Sequence, residues 1–147
     1  MGTRTDWEAL IYTRSEAEVL QAILEAFDRG DILDGQTGLE EMIQLMSNRE
    51  AAELESRLVM LMAHILEWKT QRPTTSGRHT IATQRRRIAR VRQYAPRFTQ
   101  ERILRDFWAE ALEEARQYAE EEMGEPPAVP MLTWEDVFET EYRLPTD

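Results

Sequence analysis

Residues 58–68 read LVMLMAHILEW, and nine of the ten other than His64 are apolar or small. A helix that is apolar around most of its circumference is stable only where other elements cover it on most sides. The wider stretch 53–71 therefore predicts a buried central helix. Leu54, Leu58, Leu61, Ile65 and Trp68 follow one another at alternating spacings of four and three, and Val59, Met60, Met62 and Leu66 widen the stripe.

The signals on either side are helical as well. Thr5 with Glu8 and Ser15 with Glu18 have the spacing in which a hydroxyl and a carboxylate satisfy free N–H groups at a helix start. A first helix is expected from about Ser15 to Arg29, burying Val19, Ile23 and Phe27, with Gly30 ending it. The segment 31–38, DILDGQTG, reads as a connecting turn. Thr37 with Glu40 then repeats the capping spacing, and Leu39, Met42, Ile43 and Met46 form the apolar face of a short second helix. Ser47 with Glu50 offers a further start, so a kink or break is expected at Ser47–Asn48 before the long third helix.

Pro73 stops that helix, and 73–77 (PTTSG) reads as a loop. A fourth helix is expected to open at His79 or Thr80 and run to about Tyr94, with a thin seam of Ile81, Ile88 and Val91. Thr99 can cap a fifth, running to about Met123 with Leu104, Phe107, Trp108, Ala111, Ala115, Tyr118 and Ala119 inward and Gly124 at its stop. After the prolines at 126, 127 and 130, Thr133 starts a last short helix. The expected fold is a single-domain, all-α bundle over residues 1–147, with five main helices, a short C-terminal one and the third helix central. A chain of 147 residues can bury such a core without staples.

With no cysteine, disulfides, thiolate metal sites and cysteine nucleophiles are excluded. No apolar run approaches the ~18 residues that span a bilayer, so no membrane role is expected. The N-terminal residues carry no secretion pattern, and a cytoplasmic location is expected.

The net charge of −10 is unevenly placed. Residues 1–97 hold fourteen acids and fourteen bases, whereas residues 98–147 hold fourteen acids against Arg102, Arg105, Arg116 and Arg143. Between Arg78 and Arg97 stand seven arginines and no acid. The block from Arg85 to Arg92 (RRRIARVR) suits phosphate tracking, and a nucleic-acid partner is one alternative. The acidic overall charge favours ion pairing instead, so Glu110, Glu113, Glu114 or the acids at 120–122 are expected to face the arginines within one molecule or across a dimer.

The segment ELESRL at 53–58, His64 followed by Trp68 and Gln71, and Thr80–Ile81 with Gln84, Arg85 and Ile88 resemble the uncharacterised, largely cyanobacterial family catalogued as domain of unknown function twenty-nine. Leu33–Asp34, Glu40–Glu41, Glu122 with Gly124, Pro130 and Leu144–Pro145 agree with it too. Family members usually carry a lysine where this chain has Glu67 and a loop tryptophan where it has Gly77, so no role resting on either transfers. The resemblance implies an all-helical cytoplasmic domain and supplies no reaction.

The residues that could carry chemistry are Glu40, Glu41, His64, Trp68, Gln84 and Arg85. His64 and Glu67, three apart, share a helical face, and Glu40 and Glu41 could approach from the second helix as acid–base partners. Helical di-metal sites want Glu-x-x-His on two helices, and neither His64 nor His79 is preceded by Glu at that spacing, so no metal or cofactor is expected. No nucleophile elbow or phosphate loop is present. The leading reading of His64 itself is a core histidine bonded to a neighbouring acid. The leading functional reading is a small helical binding or regulatory module acting on a protein partner or a second copy. An enzyme or metal protein using Glu41, His64 and Arg85 is the alternative.

Overall fold

The computed structural model describes residues 4–145. No strand occurs among them. The helices are α1 (Trp7–Thr13), α2 (Glu16–Asp28), α3 (Ile32–Thr70), α4 (Thr75–Tyr94), α5 (Gln100–Asp106) and α6 (Trp108–Met123), followed by a π-helical turn at Glu135–Glu139. They group into two compact units, Met1–Arg49 and Glu50–Asp147, and the long central α3 contributes to both.

In the first unit, Ser15 caps α2 by accepting from the Glu18 N–H, and Gly30 ends the turn after it with φ +83°. Trp7, Val19, Ile23, Ala26 and Met42 form its core. The segment DILDGQTG is not a turn: the chain is helical from Ile32 onward. Gly35 and Gly38 serve close packing instead, because a Cβ at Gly38 would stand 2.7 Å from the Trp7 ring and one at Gly35 2.8 Å from the Phe27 ring. The expected caps at Thr37 and Ser47 are also overturned. Thr37 donates its hydroxyl to the Leu33 carbonyl one turn back, which the helix accommodates, and nothing breaks α3 at Ser47–Asn48. α1 is capped by Asp6, which accepts from the Ala9 N–H, while Thr5 turns to Asp34. Asp34 is buried and receives the Thr5 hydroxyl at 2.6 Å, the Trp7 indole N–H at 2.9 Å and Arg29 at 2.8 Å. These donors hold its carboxyl below the ordinary carboxylate range, the Thr5 hydroxyl foremost.

In the second unit, the α3 residues Leu54, Leu58, Leu61, Met62, Ile65 and Leu66 are fully buried, as the apolar girdle requires. They pack with Ile81, Ile88 and Val91 of α4 and with Ala111, Ala115 and Ala119 of α6, whose small side chains let the helices approach closely. α4 begins earlier than expected, at Thr75, because Thr74 accepts from the Gly77 N–H. The single fifth helix divides at Phe107, where φ −122° leaves the helical range and the ring meets Phe98 edge-on at 5.8 Å. Leu104 points outward, contrary to expectation.

Gly124 (φ +74°) closes α6, and the proline-rich tail then runs back along the unit, held by side chains acting on its backbone. The Ala128 N–H donates to Thr70, Arg116 to the Val129 carbonyl and the Trp108 indole to the Leu132 carbonyl. Thr133 and Asp136 cap the π-turn reciprocally, each accepting from the other's N–H.

Candidate functional site

The inward seam of α4 sets the direction of every arginine on it. With Ile81, Gln84, Ile88 and Val91 buried, Arg86, Arg87 and Arg90 fall on the opposite side and are exposed, while Arg85 and Arg92 flank the seam. Arg92 donates to the Phe98 carbonyl and lies over the Trp134 ring, which stacks on Trp108. Arg85 donates through Nε to the Val137 carbonyl at 2.7 Å and through a terminal nitrogen to the Asp136 carbonyl at 3.2 Å, with its guanidinium 5.3 Å from the Tyr142 ring centroid. The expected pairing of these arginines with the α6 acids within the molecule does not occur: among the described residues, no ion pair joins Glu110, Glu113, Glu114 or the acids at 120–122 to α4.

Arg85 stands on the wall of an open cleft of ≈ 690 Å³. Its walls are Thr75, Ser76, Arg78, His79, Ile81, Ala82 and Arg85 from α4, and Glu141 and Tyr142 from the tail. Tyr142 donates its hydroxyl to the Asp136 carbonyl at 2.6 Å and meets Trp68 edge-on at 5.8 Å. Burial, helped by the charge of Asp136 and opposed by Arg85, pushes the Tyr142 phenol up to about 12, so it remains a neutral donor at physiological pH. Burial likewise lowers the Arg85 guanidinium from its ordinary value. No carboxylate among the described residues pairs with Arg85, and the tail acid beside it, Glu141, is paired with Arg143 at 2.8 Å. Asp136 gives Arg85 only its carbonyl, since its carboxylate is held by Thr133 and Lys69.

His64 and Trp68 share a second, smaller hollow of ≈ 100 Å³ with Glu67, Gln71 and the α4 residue Gly77. His64 Nδ1 lies 2.8 Å from the Met60 carbonyl, so Nδ1 carries a proton and donates it there. Burial raises the Glu67 carboxyl above its ordinary value, the charge of Glu122 adds to this, and His64 opposes it. A group whose pKa is raised on folding adds stability below its unfolded value of 4.5, and that contribution is lost as pH rises through the folded value. Glu67→Gln is therefore expected to raise the urea midpoint at neutral pH, with the gain vanishing well below pH 4.5.

The six residues singled out from the sequence do not line one hollow. Glu40 and Glu41 are exposed in the first unit, where Glu41 borders a shallow hollow with Tyr12, Gln44 and Asn48. Trp68 and Arg85 are linked through Tyr142, and Gln84 is buried with its side-chain oxygen lacking a partner. Arg78 and His79 join the cleft from positions that the basic block already marked, whereas no local signal pointed to Tyr142. Among the described residues no three His, Asp or Glu side chains converge as metal ligands would, and no helix is long and apolar enough to cross a membrane.

The model of the family described as Domain of unknown function DUF29 matches residues 8–143. The chain belongs to this family. The matched span contains the ELESRL, His64–Trp68–Gln71 and Thr80–Ile88 segments that carry the resemblance, so the family's marks fall on α3 and α4, which line the Arg85 cleft and the His64 hollow. No curated protein and no solved structure matches the chain.

Proposed function

We propose that the chain is a cytoplasmic helical binding module whose α4–tail cleft takes an acidic, amphipathic segment of a partner protein. The observation that carries this reading is Arg85, a half-buried cation bonded, among the described residues, only to carbonyls and an aromatic face, on the wall of an open cleft that Ile81 and Ala82 also line. A desolvated charge without a counter-ion favours a ligand that supplies one, and Arg85 has N–H groups beyond the two in use. Arg78 at the rim adds to the same field, His79 beside it offers a ring N–H, and Ile81 and Ala82 supply the apolar contact. Trp68 acts from behind by holding Tyr142 in place, and Glu40 and Glu41 have no part.

The test uses labelled helical peptides of constant apolar stripe, with flanking positions all Glu, all Gln or all Lys. Saturable binding of the Glu series is expected, weakened about tenfold (~1.4 kcal/mol) by Arg78→Ala and more by Arg85→Gln. Equal binding of the Glu and Gln peptides would remove the electrostatic basis. Tighter binding of a DNA duplex, falling steeply with added salt and lost in Arg86→Glu, would replace this reading with a nucleic-acid one.

A further inference from the structure

Among the described residues, the first unit leaves one of its faces apolar and uncovered. Asp34 and Gly38 meet α1 through Trp7, while Gly38 and Gly35 meet α2 through Ile23 and Phe27, so α1 and α2 lie on successive sectors of α3. The next sector, beyond α2, carries Ile32, Leu39, Ile43 and Met46 at helical spacing. On α2, Ile23 and Phe27 turn to α3, and the sector beyond them, away from α1, carries Leu20 and Leu24. The two strips flank the α2–α3 seam on the side opposite α1. Each of these six side chains is between 41% and 56% exposed.

We infer that this face is a homodimer interface, in which the α2–α3 hairpins of two copies pack against each other as a four-helix layer. Six large apolar side chains, each about half exposed, amount to roughly 500 Å² per copy, at the upper end of what a monomer leaves bare. Two copies would then bury on the order of 1,000 Å² of apolar surface, where specific interfaces begin. Leu39, Ile43 and Met46 repeat at four and three, and Ile32, Leu39 and Met46 at seven, the spacing of knobs-into-holes packing. Area and composition decide for a second copy over a charged partner. The strips themselves are wholly apolar, Ala17 and Gln21 on α2 and Gln36 and Ser47 on α3 carry no charge beside them, and the acids that border them, Asp28 and Glu40, stand exposed at the margin where solvent screens their repulsion. A two-fold axis through such a face requires only that the face match itself.

Sedimentation of the full chain into the upper micromolar range is expected to give twice the 17.3 kDa chain mass. Leu24→Glu and Ile43→Glu, both at exposed positions, are expected to retain the helical circular dichroism and to weaken association at least ~30-fold. Because the chain has no cysteine, Gln36→Cys with a short bismaleimide supplies a second readout that leaves the face intact, and a crosslinked dimer is expected. A chain that stays monomeric and does not crosslink would overturn the inference. So would a dimer indifferent to Ile43→Glu but dissolved by Arg86→Glu, which would assign association to the charged faces, or a monomer whose apolar face is taken up by a different protein.

Discussion

Leu61→Ala and Ile65→Ala are each expected to destabilise the chain by about 2–5 kcal/mol, read as a fall in the urea midpoint. Both side chains are fully buried in the α3 girdle, with α4 and α6 packed around them. Truncation removes their transfer free energy and leaves a cavity that three helices held by the tail cannot close. The size matters because a domain of this length has only about 5–15 kcal/mol in total. An exposed control on the same helix, Glu53→Ala, is expected to change stability by no more than about 0.5 kcal/mol. Midpoints within error of the parent for both core variants would contradict α3 as the centre of the second unit.

Features decided within one or two turns were legible in the sequence. Ser15, Thr99 and Thr133 cap where their spacing says, Gly30 and Gly124 take positive φ at the expected stops, and the girdle of α3 is buried. The failures share one cause. Thr37 and Ser47 match the capping pattern, but a hydroxyl inside a helix can bond the carbonyl four residues back, and with no proline nearby continuing α3 keeps more backbone bonds than ending it. Leu39, Met42, Ile43 and Met46 form a helical apolar face, yet periodicity does not say what covers it, and only Met42 of the four is buried.

The candidate site divides in the same way. The arginine block was visible, and extending the Ile81–Ile88–Val91 seam by helical geometry would have separated the outward Arg86, Arg87 and Arg90 from the flanking Arg85 and Arg92. What Arg85 bonds to lies about fifty residues further along the chain, at Asp136 and Val137, where no local pattern points back to α4. Charge totals point to ion pairing with α6, but totals do not specify which faces meet.

Gly38→Ala tests the largest of these misreadings. By helix propensity alone, alanine inside α3 should gain about 0.5–1 kcal/mol over glycine. Against that, the new methyl would stand 2.7–2.8 Å from the fused ring atoms of Trp7 and 2.8 Å from Ile23 Cγ1, both buried side chains. Neither can swing away cheaply: the Trp7 indole is tied to Asp34 at 2.9 Å, and Ile23 is packed in the small core of the first unit. Overpacking of this kind costs about 1–3 kcal/mol, so a net loss of roughly 1–2 kcal/mol is expected, together with a change in Trp7 fluorescence. Gly35→Ala brings its methyl to 2.8–2.9 Å from one side of the Phe27 ring (Cδ1, Cε1 and Cζ), and because that ring is half-buried and can rotate outward, propensity and crowding should nearly cancel there. If Gly38→Ala stabilised the chain as much as an alanine in an open helix does, α1 and α2 would not be pressed against α3 at this point, and the two glycines would be turn residues after all.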